Sequence, residues 1–261
     1  MTARLVLKDI DVRHGRTRTL SSVSASIAAG QMVGLIGPNG AGKSTLLNAI
    51  AGQIASSGKS LWGGKPIDSS DLGFMPQQCQ VRADISVLEV ILLGHHEQLG
   101  WRIGDDTLNA ATHILNFFGI ADLAARGMLT LSGGQQQLVL LAQRMMRQPQ
   151  LLLLDESTSA LDIRHQMHVL KLLKDYVART GALVVIAIHD LNLAARHCDT
   201  VMLLNGGRLV GHGTFATIIT PDILRSVYGI EAEFITSSAG IPVILPLSPT
   251  SIEARPMEET R

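Results

Sequence analysis

The run Gly37-Pro38-Asn39-Gly40-Ala41-Gly42-Lys43-Ser44-Thr45 has the residue types and spacing needed to grip a polyphosphate. Glycine at Gly37, Gly40 and Gly42, with Asn39 and Ala41 between them, lets backbone N–H groups converge on phosphate oxygens. A helix opening behind the loop adds positive potential. Lys43 then reaches the terminal phosphates, the Ser44 hydroxyl ligates Mg²⁺, and Thr45 offers a further phosphate contact. An ordinary glycine turn is the bland alternative. A full match between an apolar strand and a helical segment sets it aside.

Asp155-Glu156 closes the run Leu151-Leu152-Leu153-Leu154. A buried parallel strand delivers such acids to the rim where ligands bind. There Asp155 would hold Mg²⁺ through water, and Glu156 would orient or deprotonate the attacking water. His189 follows another apolar run, residues 183–188, and emerges on the same rim if the two strands are neighbours. It would then contact the γ-phosphate and keep the water in line, whereas a lone histidine elsewhere is more often structural. Gln77, where strand texture gives way to helices, has an amide able to meet Mg²⁺ or water; on residue type alone it is a surface glutamine. Leu131-Ser132-Gly133-Gly134-Gln135 is a second glycine-rich turn before a helix. It lacks a lysine, so it completes an anion site rather than building one, and Ser132 also suits a helix N-cap.

The elements that must position these groups are legible as texture. Residues 5–12, 23–27 and 32–36 read as strands, 43–51 as a helix, and 60–62 and 72–75 as short strands. From about 86 to 147 apolar residues recur at helical spacing, with helices expected over 109–119 and 134–147. Strand–helix alternation then resumes: strands at 151–154, 183–188, 201–204 and 208–211, and helices at 164–180 and 191–197. A short helix over 221–228 has proline in its first turn. Beyond Gly229 the Pro/Ser/Thr/Glu-rich sequence has no strong period, and its last dozen residues are expected to be mobile.

At 261 residues a single α/β unit with an inserted subdomain fits best. The apolar runs are far shorter than the roughly 20 residues of a membrane span, and no basic-then-apolar leader opens the chain, so a chain neither secreted nor membrane-spanning is expected. Cys79 and Cys198 have no metal-type spacing and suit a reducing compartment. Lys+Arg and Asp+Glu are equal at 22 each, so no nucleic-acid partner is expected.

In this order the segments resemble the nucleotide-binding subunit of an ABC transporter, over about residues 3–230. The resemblance implies an α/β fold: a P-loop NTPase (RecA-like) core, an N-terminal antiparallel β subdomain and an inserted α-helical subdomain. The nucleotide-binding domain would cover residues 1–235, with its helical part at about 86–147, and a tail would cover 236–261. It makes Gln77 the glutamine loop, with Mg²⁺ bound by Ser44, Gln77 and Asp155. Residues 131–135 become the signature, where Ser132, Gly134 and Gln135 meet ATP. Glu156 and His189 become the catalytic pair, Asp162 the end of the D-loop, and His14 the adenine-stacking position.

The resemblance further implies a head-to-tail homodimer sandwiching ATP, which closes on binding and reopens after hydrolysis. Two transmembrane permease subunits and, indirectly, a substrate-binding protein would be its partners. Its place would be peripheral, on the cytoplasmic face of the cell (inner) membrane. The segments 161–166, 189–195 and 220–229 resemble the ATPases of iron-siderophore, haem and cobalamin importers, with molybdate-type importers still open. Three departures from the usual pattern stand out. His14 replaces a common aromatic, Ser157 a proline, and Gln136, Leu138 and Gln143 stand where arginines are frequent. The alternatives are a soluble ABC ATPase acting on nucleic acid or the ribosome, an exporter ATPase, and a P-loop kinase or GTPase. The second glycine-rich turn argues against the last.

Overall fold

A computed structural model describes residues 3–77, 79, 83–98 (backbone alone at 96–98), 104–155 and 162–250. β1 (Arg4–His14) and β2 (Thr17–Ala28) pair antiparallel from Arg4↔Ala28 to His14↔Thr17, with apolar residues alternating inward. β3 (Gln31–Ile36) is instead buried almost throughout, as a strand covered on both faces must be. It feeds the loop 37–42 and then α1 (Lys43–Ile50). β4 (Ser57–Trp62) lies antiparallel beside β1, and β5 (Lys65–Pro66) lies beyond it. The first sheet therefore runs β2-β1-β4-β5.

β6 (Leu72–Met75) leads into the helical block. α2 (Val87–Leu92) opens on a capping box: Ser86 Oγ accepts from the Glu89 amide, and the Glu89 carboxylate accepts from the Ser86 amide. α3 (Asp105–Phe118) starts before the apolar spacing does, because Asp105 and Asp106 suit the positive end of a helix without touching the core. α4 (Gly133–Met145) packs on α2, α3 and β6.

β7 (Leu151–Leu154), α5 (Ile163–Thr180), β8 (Leu183–Ala187), α6 (Leu191–His197), β9 (Thr200–Asn205) and β10 (Arg208–Gly213) complete the alternation. The second sheet runs β10-β9-β3-β8-β7-β6, parallel except for the β9–β10 hairpin. Its strands alternate between two cores. Val33, Leu35, Leu153 and Val185 face β1, β2 and α1, whereas Met32, Leu152, Leu154 and Ile186 face the helices. That double burial explains the unbroken leucines of β7.

α7 (Phe215–Ile218) and α8 (Pro221–Ile223) follow, and α8 continues as a π-type turn over Leu224–Tyr228. The segment after Gly229 departs from the expected lack of regularity. β11 (Ile230–Thr236) and β12 (Pro242–Pro249) form an antiparallel hairpin. Its period is hidden by Pro242, Pro246 and Pro249 and by a register shift after Glu231, while buried Ile244 anchors it. Residues 251–261, where mobility was expected, lie outside the described residues. No helix among the described residues is long and apolar enough to cross a membrane.

Candidate functional site

The strands β3, β8, β7 and β6 are neighbours in that order, so their C-terminal ends share one rim. The phosphate-type loop leaves β3, Asp155 leaves β7, His189 stands two residues past β8, and Gln77 two residues past β6. Register fixes their relative depth, with Met75 opposite Leu154 and Leu154 opposite Ile186. The sheet thus gathers the candidate groups that the sequence scatters over 150 positions.

The loop itself is shaped by backbone constraints. Gly37 has φ 147°, and a Cβ there would lie 2.2 Å from the Leu204 carbonyl oxygen. Ala41 is buried, and its amide donates to the Pro38 carbonyl at 3.2 Å. Asn39 is exposed on the loop's outer side. Lys43 is only 5% exposed, and its Nζ donates to the carbonyls of Gly37 at 2.8 Å and Pro38 at 3.1 Å. The ammonium is therefore curled over the start of the loop.

Ser44 Oγ donates to Asp155 Oδ1 at 2.9 Å, and Asp155 is 2% exposed. The amide of Asp155 donates to the Met75 carbonyl at 2.9 Å, which fixes the backbone that carries the carboxylate. A hydroxyl and a carboxylate meeting at one point are hard oxygen donors, the set that suits Mg²⁺. Asn48 Nδ2 donates to the Ser44 carbonyl at 2.8 Å and stabilises the first turn of α1.

An open groove of about 610 Å³ runs from the loop to the end of β1, where Ser44, Thr45 and Asn48 line it together with Val12, His14 and Ile54. His14, exposed at the turn between β1 and β2, therefore shares a groove with the phosphate loop. Its imidazole offers a flat surface where a base could stack.

Two candidates take clear structural roles. Ser132 caps α4 in a second capping box: its Oγ accepts from the Gln135 amide at 3.3 Å, and Gln135 Oε1 accepts from the Ser132 amide at 3.0 Å. Ser132 and Gly133 are exposed, Gly134 partly so, and α4 thus presents a capped N-terminus on the helical block. Asp162 caps α5, accepting at Oδ1 from the His165 amide at 2.8 Å, and that bond with the His165 ring holds its carboxyl below the usual carboxylate range. Glu156, Ser157 and the D-loop residues 159–161 lie outside the described residues.

Gly207 is a site residue that the sequence reading missed. It belongs to the two-residue Gly206-Gly207 turn of the β9–β10 hairpin, where both residues have positive φ. Its amide donates to the Ala41 carbonyl at 3.1 Å, and its carbonyl accepts from the Ser21 amide at 2.8 Å. The turn therefore clamps the phosphate loop to β2. Asn205-Gly206-Gly207 signals a hairpin turn in sequence, but nothing local tells what that turn touches.

The sequence matches the ABC transporter family over residues 20–159, more than half of the chain. The cobalamin import ATP-binding protein BtuD of Halobacterium salinarum is 38% identical over 248 residues, covering 91% of this chain and 62% of that protein. The chain thus spans less than two thirds of that relative's length. The hemin import ATP-binding protein HmuV of Bordetella avium is 38% identical over 245 residues, covering 88% of this chain and 93% of that protein. The solved structure of a metal-chelate type ABC transporter in an inward-facing conformation matches with a TM-score of 0.83 at 26% identity, covering 95% of this chain and 98% of that one. With the phosphate loop, the acidic strand end and the capped second glycine turn in one chain, the chain belongs to the ABC transporter family.

Proposed function

We propose that this chain is the ATP-hydrolysing subunit of an ABC importer for a metal chelate of the hemin, cobalamin or iron-siderophore class. The observation that carries the ATPase part is the half-buried Ser44–Asp155 contact beside the loop that Lys43 caps. The substrate class is supported by the relatives named for hemin and cobalamin import.

In this reading Lys43 and the loop amides bind the triphosphate, Thr45 adds a phosphate contact, and His14 stacks on the base. Ser44, Asp155 and Gln77 would hold Mg²⁺, which supplies charge neutralisation between the phosphates when bound. Glu156 takes the proton of the attacking water, and His189 holds the γ-phosphate side of that water. The start of α4, at Ser132, Gly134 and Gln135, then covers the nucleotide of a second copy, and Asp162 closes the D-loop beside it. ATP favours the closed pair by the contacts it makes only there.

The membrane partners would be two permease subunits, served by a substrate-binding protein, with this chain on the cytoplasmic face of the cell membrane. A cavity of about 660 Å³ between Phe74, Pro76, Leu93, Gln143 and Arg147 supports a docking place beside the glutamine loop. The reading is tested by capturing the Glu156→Gln chain with ATP from detergent-solubilised native membranes, followed by mass spectrometry. A polytopic membrane protein as dominant partner is expected. Ribosomal proteins or nucleic acid instead would replace the importer with a soluble ABC ATPase, and an exporter permease would reverse the direction of transport.

A further inference from the structure

We infer that Asn192, with the C-terminal hairpin behind it, is the positioning residue for His189. The inference rests on the role given to His189 above. α6 has only seven residues, too few to be stable by itself, so tertiary contacts decide where it sits. Its N-cap is Asp190, directly after His189, and Asp190 Oδ1 accepts from the amides of Asn192 at 2.7 Å and Leu193 at 3.1 Å.

Asn192 then joins this first turn to β12. Its Oδ1 accepts from the Ile244 amide at 2.7 Å, and its Nδ2 donates to the Ile244 carbonyl at 3.1 Å. One amide side chain thus satisfies both polar groups of a backbone residue 52 positions away, as a neighbouring strand would. Asn192 is exposed, so it does not fill the core, whereas Ile244 is 4% exposed and fixed in it. The hairpin is anchored at its base as well. Arg225 Nε donates to the Glu231 carboxylate at 2.8 Å, and the Thr250 amide donates to the Gly229 carbonyl at 2.8 Å. The chain His189–Asp190–Asn192–Ile244 is a strut from the catalytic rim to the C-terminal hairpin packed on α6. The hairpin is thereby part of the machinery rather than an appendage.

Asn192→Leu keeps the branched outline of the side chain and removes both hydrogen bonds. In the purified full chain it is expected to lower ATP turnover about tenfold while KM for ATP stays within about twofold, since the phosphate loop is on other elements. The double variant N192L/H189A should be no slower than H189A alone, because both changes remove one function. Losses that multiply, or normal turnover in a folded N192L chain, would overturn the inference. Normal turnover in H189A alone would overturn the reading of His189 itself, and the inference with it. If N192L folds poorly, Asn192→Ala removes both hydrogen bonds with no added bulk, and a loss of similar size is expected. In either variant hydrogen exchange at the Leu193 amide should quicken, and an unchanged rate counts against the strut.

Discussion

Ser44 and Asp155 stand 111 residues apart in sequence, yet the serine hydroxyl donates to the carboxylate at 2.9 Å. One end of this contact starts α1 and the other ends β7, so it joins the phosphate loop to the acidic strand end. Asp155→Asn keeps an acceptor for Ser44 and removes the charge. Turnover is expected to fall at least about 100-fold, equivalent to about 2.7 kcal/mol of transition-state stabilisation. Calorimetric titration with nucleotide in Mg²⁺ and in chelator should show the defect only with the metal.

Gly37→Ala should fail structurally before it fails chemically. Its φ of 147° and the Leu204 carbonyl 2.2 Å from any Cβ leave no room, and the neighbour is backbone. A loss on the order of 3 kcal/mol or more is expected, read from denaturant midpoints. An unchanged midpoint would show that the loop can relax away from β9.

Ser132 separates capping from function. Ser132→Ala should cost about 1 kcal/mol through the lost cap of α4. Ser132→Arg should leave nucleotide affinity of the single chain intact while abolishing cooperative hydrolysis. Unchanged turnover in that variant would sink the sandwich dimer.

Acid should loosen the fold through one buried and one half-buried histidine. His197 is 9% exposed, its Nε2 has no hydrogen-bond partner among the described residues, and burial, then Arg196 and Lys174, hold its pKa below the ordinary value. Burial does the same to His212. With folded values below the unfolded value of about 6.5, both forms are neutral above that pH and stability is full. As pH falls below it, the unfolded chain binds protons that the fold refuses, and stability declines until the folded values are reached. Denaturant midpoints at pH 7.5, 6 and 5 should fall in that order, and more shallowly for His197→Gln.

Much of this site was legible because its motifs are contiguous. The loop 37–45 declares a backbone shape and a charge within a few residues, the acids after β7 a charge, and the turn before α4 a backbone shape. The apolar texture likewise marks β3, β7 and β8, because strands buried on both faces need unbroken apolar runs. The C-terminal hairpin escaped notice because prolines and a register shift erase its alternation.

The sequence by itself determined which residue types stand together: a glycine-rich loop ending in a lysine, acids after an apolar run, and the strand texture that delivers them. Tertiary structure alone decided their company. Strand order in a parallel sheet is set by which crossovers pack, not by any local signal, and it brings Gln77, Asp155 and His189 to one rim. The same long-range packing puts Gly207 against Ala41 and Asn192 against Ile244. Neither pairing is written in the residues nearby, since a turn glycine and an exposed asparagine look the same whatever they touch.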